Sequence, residues 1–255
     1  MSAVAALLDG PSALHTLRRA RTRGSPGGGG SVVSCRSVRG VIRVLEDRVT
    51  DVVVVGLRAT ELLDLDPLLS RFPGIPLLLY GAVRPDHAPA LLALCQAGVA
   101  GILVEGVDDA AVGVLIHRYS LAGERERALA EAPRRLGLTE PLQQEVWTRL
   151  VRGADAPVRT TDLAVTMKRS REYLSRQFAA GGAPTLKQTM DLVRVATAAQ
   201  LLRNPGYTVT RVARLLQFAS PSHLGTMTRR VTGGGSADLG ALGLPGVLHR
   251  FVRGR

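Results

Sequence analysis

The run DVVVVG, residues 51–56, places four valines side by side, and IPLLLYG (75–81) and AGILVEG (100–106) are apolar in the same unbroken way. A strand with one wet face alternates apolar and polar residues. A strand without alternation has both faces covered, which is the condition of a parallel sheet with crossover helices. Earlier runs complete the series: AVAALLD (3–9) and SVVSCRS (31–37) read as the first two strands. Between the strands lie helical stretches at 11–24, 38–49, 87–98 and 108–120, and SPGGGG (25–30) reads as a flexible low-complexity loop. Five strands alternating with these helices predict an α/β, flavodoxin-like, doubly wound five-stranded parallel sheet over residues 1–120.

No convincing strand follows residue 120. LAGERERALAEAPRRLG (121–137) reads as a helical or loose linker, and residues 138–240 as an all-α domain, with 241–255 as a basic C-terminal tail. The charge divides at the same place. Of 33 Lys+Arg and 21 Asp+Glu, residues 1–120 hold 12 and 11, so the net of +12 lies almost wholly in the second half. Such asymmetry points to a polyanion partner for the helical half, with a merely basic surface as the alternative. No apolar run reaches membrane-span length, and MSAVAALLDG lacks the basic start of a signal peptide, so no membrane association and a cytoplasmic location are expected. Cys35 and Cys95 are expected as buried thiols, and no His/Cys cluster has zinc spacing, so neither metal nor cofactor is expected.

Two helix-turn-helix patterns stand in the helical half. In TTDLAVTMKRSREYLSRQF (160–178), a helix near Asp162–Met167 turns at Lys168–Arg169, and Ser170 can cap a second helix. That helix buries Tyr173, Leu174 and Phe178 and leaves Arg171, Glu172, Ser175 and Arg176 outward. In TVTRVARLLQFASPSHLGTMTRRVTG (208–233), the turn is Gln217–Ala219, Ser220 caps, and Pro221 takes the first helical position. Its second helix presents Ser222, His223, Thr226, Arg229 and Arg230. TLKQTMDLVRVATAAQLLRN (185–204) joins the two as one long helix. Such a pair can set two recognition helices about one turn of duplex DNA apart. Ordinary helical hairpins with solvated arginines are the alternative.

At these residues the chain resembles the AraC/XylS family of transcription regulators. The match runs over LAVTMKRSREYLSRQF, LVRVATAAQLL and VARLLQFASPSHL with RR and Gly233 following. The resemblance implies that Glu172, Ser175 and Arg176 face bases or phosphates from the first unit, and Pro221, Ser222 and Thr226 from the second. It departs from the family pattern where Lys168 and Gln217 replace the turn glycines and where Leu224 and Thr228 replace aromatic residues.

The first half resembles the receiver domain of bacterial response regulators, on TDVVVVGLRA, FPGIPLLLYGA and QAGVAGILVEG. A receiver uses an aspartate after its third strand as phosphoacceptor, an acidic pair for Mg²⁺, a hydroxyl after the fourth strand and a lysine after the fifth. Here the acceptor position is Gly56, the hydroxyl position Gly81 and the lysine position Glu105, and of the acidic pair only Asp9 is a candidate. Asp51 opens its strand and lies at the wrong end to substitute. The expectation is a pseudo-receiver, not phosphorylated through aspartate, whose input is a protein contact, dimerisation or a ligand at the sheet edge.

The leading reading is thus a double-stranded-DNA-binding transcription regulator that addresses RNA polymerase and forms a homodimer through its N-terminal domain. A protein-interaction regulator whose helical domain has lost DNA binding is the second. An enzyme is not expected, since no G-x-G-x-x-G, G-x-S-x-G, P-loop or paired catalytic acid is present.

Overall fold

The computed structural model describes residues 2–8, 10–24, 30–60, 64–178 and 182–254. They divide into two compact units: Met1–Glu124 with Asn204–Gly206, and Arg125–Arg203 with Tyr207–Arg255.

In the first unit the strands are β1 (Ala3–Leu7), β2 (Ser31–Ser34), β3 (Thr50–Gly56), β4 (Leu77–Gly81) and β5 (Gly101–Val104). Every pairing is parallel, and the order is β2-β1-β3-β4-β5, the flavodoxin-like order. All seven residues of β3 are buried, as unbroken apolar character requires. Helices α1 (Pro11–Gly24), α2 (Val38–Asp47), α3 (Leu57–Thr60), α4 (Asp66–Arg71), α5 (Ala88–Gln96) and α6 (Val112–Tyr119) complete the unit. One face of the sheet packs Val4, Ala6, Val52, Val54, Leu78 and Leu103 against Leu17 of α1 and Val112 and Ile116 of α6. On α2, Val41 and Leu45 are fully buried, and the Ser37 hydroxyl caps the helix by accepting from the Gly40 amide.

The sequence reading has no helix between β3 and β4, where α3 and α4 stand. Both are too short, at four and six residues, to repeat an apolar period. Cys35 is buried, and burial raises its thiol pKa. Cys95 is exposed, against expectation, because α5 buries none of its residues. The loop read at 25–30 lies, apart from Gly30, outside the described residues.

The second unit is all-helical: α7 (Leu121–Ala128, from Arg125), α8 (Ala132–Leu136), α9 (Pro141–Arg152), α10 (Thr160–Thr166), α11 (Arg171–Phe178), α12 (Leu186–Leu202), α13 (Val209–Leu215), α14 (Pro221–Thr232) and α15 (Leu239–Arg253). Twelve of the seventeen residues of α12 are buried, so it is the axle of the unit.

Two boundary expectations are corrected here. Residues 121–137 are helical, one of the two alternatives the sequence left open, but from Arg125 they are part of the second unit and not a linker. Arg125 is buried at 2% exposure, donating from Nε to the Val151 carbonyl at 2.9 Å and from Nη1 to Gln200 Oε1 at 3.2 Å. Residues 241–255 are not a tail. α15 packs along α12 and buries Leu244, Val247, Leu248 and Phe251, bending at Gly243, whose φ is 56°. Gly240 makes the close approach possible, since a Cβ there would sit 2.4 Å from the Leu202 carbonyl oxygen. The arginines of this segment drew attention to charge, while an apolar face interrupted by glycine and proline carried the packing. Among the described residues no helix is long and apolar enough to cross a membrane.

Candidate nucleic-acid interface

The two helix-turn-helix units are built by the same backbone device. In the first, the Lys168 amide donates to the Val165 carbonyl at 3.1 Å and the Arg169 amide to the Ala164 carbonyl at 3.0 Å. In the second, the Gln217 amide donates to the Arg214 carbonyl at 3.0 Å and the Phe218 amide to the Ala213 carbonyl at 2.8 Å. Each is a Schellman closure, which needs a left-handed residue just past the helix end. Lys168 and Gln217 supply it at φ 52° and 54°, the only non-glycine residues with positive φ among those described. A side chain there is strained by about 1 kcal/mol relative to glycine. Lys168→Gly and Gln217→Gly are each expected to raise the stability of the second unit by about that amount, read as a higher urea midpoint; a lower midpoint in both contradicts the strain.

After each closure a serine opens the next helix. Ser170 Oγ accepts from the Tyr173 amide at 3.1 Å, and Ser220 Oγ accepts from the His223 amide at 3.0 Å. The second turn is one residue longer, because Ala219 stands between the closure and the cap. Leu174 and Phe178 anchor α11, while Leu224, Met227, Thr228 and Val231 anchor α14. Thr228, at an expected aromatic position, bonds its hydroxyl back to the Leu224 carbonyl at 2.8 Å.

The residues read as DNA-facing divide as follows. Arg171, Glu172, Ser175 and Arg176 are exposed on α11, with Arg171 3.8 Å from the Glu172 carboxylate. Pro221, Ser222, His223, Thr226, Arg229 and Arg230 are exposed on α14. Ser220 is half-buried and its hydroxyl is used as the cap. His223 sets its ring edge-on to Phe218 at 5.9 Å. Arg230 is also tied inward: its guanidinium pairs with the carboxylate of Asp191, a residue only 4% exposed on α12. That pair holds α14 to the axle and leaves Arg230 less free to move than Arg229.

Two contributors were not read as site residues. Asp191 looked like one more polar position, because nothing local marks a carboxylate as buried. Arg194 donates to the carbonyls of Leu216 at 3.0 Å and Gln217 at 3.4 Å and lies 4.2 Å from the centre of the Phe218 ring. Burial lowers its pKa, and the Asp191 charge opposes that. It is a cation at the C-terminus of α13, where the helix dipole favours one. An arginine inside the mainly apolar α12 was the available signal.

In the first unit, Gly56 and Gly81 end β3 and β4, and Glu105 follows β5. All three line one cavity at the carboxyl ends of the strands. Asp9, the remaining position of the degenerate set, lies outside the described residues. Asp51 is at the opposite end of β3, buried and hydrogen-bonded by the Ser2 hydroxyl, with Arg21 Nη2 at 3.4 Å. Beside the cavity the Tyr80 hydroxyl donates to Asp109 Oδ1 at 2.7 Å. Burial first, and then that hydrogen bond and the Asp109 charge, push its pKa well above the ordinary tyrosine value. Among the described residues no group of three or more His, Cys, Asp or Glu is placed to hold a metal ion.

The family model described as "Helix-turn-helix domain" matches residues 163–234, which run from within α10 to just past α14. Solved structures similar to the chain include full-length FixJ from B. japonicum, at 14% identity over 88% of this chain and 98% of that one, with a TM-score of 0.38. The RcsB response regulator of Salmonella typhimurium is 17% identical over 75% of this chain and 98% of that one, at 0.37. A response regulator receiver domain protein from Clostridium thermocellum is 16% identical over 47% and 94%, at 0.35. None of these likenesses adds to what the strand order already shows. No curated protein matches the chain. Residues 163–234 thus match a helix-turn-helix domain, carried behind a doubly wound α/β domain of flavodoxin-like strand order.

Proposed function

We propose that the protein is a sequence-specific DNA-binding transcription regulator of AraC type, controlled through a receiver-like domain that takes no phosphoryl group on aspartate. The supporting observation is the doubled unit: two capped helices, each anchored by its apolar face, each exposing polar and cationic residues from its first turns onward. Arg171, Arg176 and Arg229 are cations on those exposed faces. In this reading Arg176, Ser175 and Glu172 meet the duplex from α11, and Ser222, Thr226 and Arg229 from α14. The regulator acts in a bacterial cytoplasm, as a dimer through its N-terminal domain, and addresses RNA polymerase.

Selection from random duplexes, followed by titration of the enriched sequence, tests this directly. Affinity should fall steeply with added salt, as counterions are released from the phosphates. Arg176→Ala should cost about 1–3 kcal/mol of binding with an unchanged melting curve, since its side chain is exposed. A wild-type protein that binds no duplex at low salt would overturn the reading in favour of a helical domain acting through protein contacts.

The receiver-like half is tested separately. Incubation with acetyl phosphate and Mg²⁺ should leave the intact mass unchanged, because glycine at 56 offers no nucleophile. An acid-stable, base-labile phosphoryl adduct would sink the pseudo-receiver reading.

A further inference from the structure

The carboxyl ends of β1, β3, β4 and β5 surround a cavity of about 620 Å³. In this strand order the chain leaves β1 toward β2 on one side and returns to β3 on the other. Open α/β sheets take their ligands in the crevice at that switch point. The volume lies within the roughly 300–1,000 Å³ of organic-ligand pockets.

The lining is particular. Gly56 brings no side chain to the end of its strand, and at Gly81 a Cβ would stand 3.1 Å from the Leu57 Cβ, so there the apolar wall takes the space a hydroxyl side chain would need. Leu8, Ala13 and Leu57 form an apolar wall. The rim carries two arginines, Arg58 and Arg84, and two carboxylates, Asp86 and Glu105, all exposed. His87 Nδ1 accepts from the Arg84 amide at 3.3 Å and so braces the loop that carries Arg84 and Asp86. Two cations balanced by two carboxylates give a bare polyanion such as phosphate no net attraction. They suit a molecule with one acid group and separate hydrogen-bond donors, and the apolar wall suits a ring body.

We propose that this cavity binds a small organic acid with an apolar ring and hydroxyl or amine donors. Its acid group is held by Arg58 and Arg84, its donors face Asp86 and Glu105, and its ring lies on Leu8, Ala13 and Leu57. The assignment rests on the reading that aspartyl phosphorylation is lost at these same strand ends, and it replaces a covalent input with a ligand.

Hydroxynaphthoate, which has the acid, the donor and the ring, is the probe. Titrated into the full chain and followed by calorimetry, it should bind saturably with one-to-one stoichiometry. Naphthol, which lacks the acid, should bind roughly tenfold more weakly or worse. Arg58→Ala with Arg84→Ala should weaken hydroxynaphthoate by about tenfold or more, since both side chains are exposed and the change leaves the core untouched. Gly10→Leu should weaken binding, since Gly10 lines the cavity and a Cβ there meets no described atom within 4 Å that would hold the added side chain away. No saturation up to roughly 1 mM, equal binding of naphthol, or unchanged affinity in both variants would overturn the proposal. Acetyl phosphate treatment of the same preparation separates the two readings. A phosphoryl adduct overturns the pseudo-receiver reading whatever the titration gives, whereas no adduct and no binding overturns the ligand site alone.

Discussion

Asp51→Ala is expected to cost the N-terminal unit about 3–5 kcal/mol, the usual effect of removing one partner from a buried ion pair. The carboxylate is 1% exposed and accepts from the Ser2 hydroxyl, while Arg21, itself 8% exposed, stands 3.4 Å away on α1. Alanine would leave the Arg21 guanidinium buried without its counter-charge, at the place where α1 meets the amino ends of β1 and β3. The Asp51–Arg21 contact spans 30 residues of chain, so it also fixes how α1 lies on the sheet. Hydrogen exchange of the β1 and β3 amides reads the loss within this unit, which a single melting curve of a two-unit chain would blur. Replacing both partners together, Asp51→Leu with Arg21→Met, should recover most of the loss, because no charge is then left unpaired. A loss below about 1 kcal/mol in Asp51→Ala would show that water reaches the site and that the pair is only a surface contact.

Arg194→Ala is expected to cost the second unit about 3 kcal/mol. Hydrogen bonds from a charged group are worth about 1.5–3 kcal/mol, and stacking a guanidinium on an aromatic face adds about 0.5–2 kcal/mol. Arg194 makes both kinds of contact, with the Leu216 and Gln217 carbonyls and the Phe218 ring. Lysine keeps the charge but not the planar fork, so Arg194→Lys should restore less than half of the loss. Trp147, the chain's one tryptophan, is buried on α9 in the same unit and reports its unfolding by fluorescence. Since Arg194 closes the turn before α14, DNA affinity should fall with stability in Arg194→Ala, whereas Arg176→Ala loses affinity alone. Equal fluorescence midpoints for wild type and Arg194→Ala would contradict the assignment.

The sheet was legible because its evidence is local and periodic. Unbroken runs such as Val52–Val55 and Leu77–Tyr80 admit few arrangements other than buried parallel strands, and helical stretches between them imply crossovers. The two helix-turn-helix units were legible for a like reason. A serine stands at the cap of each, Pro221 takes the first helical position of the second, and anchors such as Leu174 and Phe178 in the first lie within the same short window. The same windows placed Arg171, Arg176, Arg229 and their neighbours on exposed faces, because a residue opposite the apolar side of a packed helix has solvent before it.

What failed to appear was of a different kind. α15 was read as a tail since its arginines stand out and its apolar residues are broken up by Gly243 and Pro245; only the surface of α12, with Gly240 against Leu202, shows where they go. Arg125, Asp51 and Asp191 are charged residues that no local pattern marks as buried, and each is buried because a partner arrives from a distant segment.

By itself, then, the sequence determined the two fold classes, the strands, the paired helix-turn-helix units and the absence of an acid at position 56. These follow from backbone propensity and the period of apolar residues, which act over a few turns or one strand. The tertiary structure alone decided which charges are buried and paired, that the last helix belongs to the core, and that Leu8, Ala13 and Leu57 wall the cavity at Gly56, Gly81 and Glu105. Desolvating a charge or enclosing a volume depends on groups far apart in the chain meeting in space, and no short window of sequence contains both sides of such a contact.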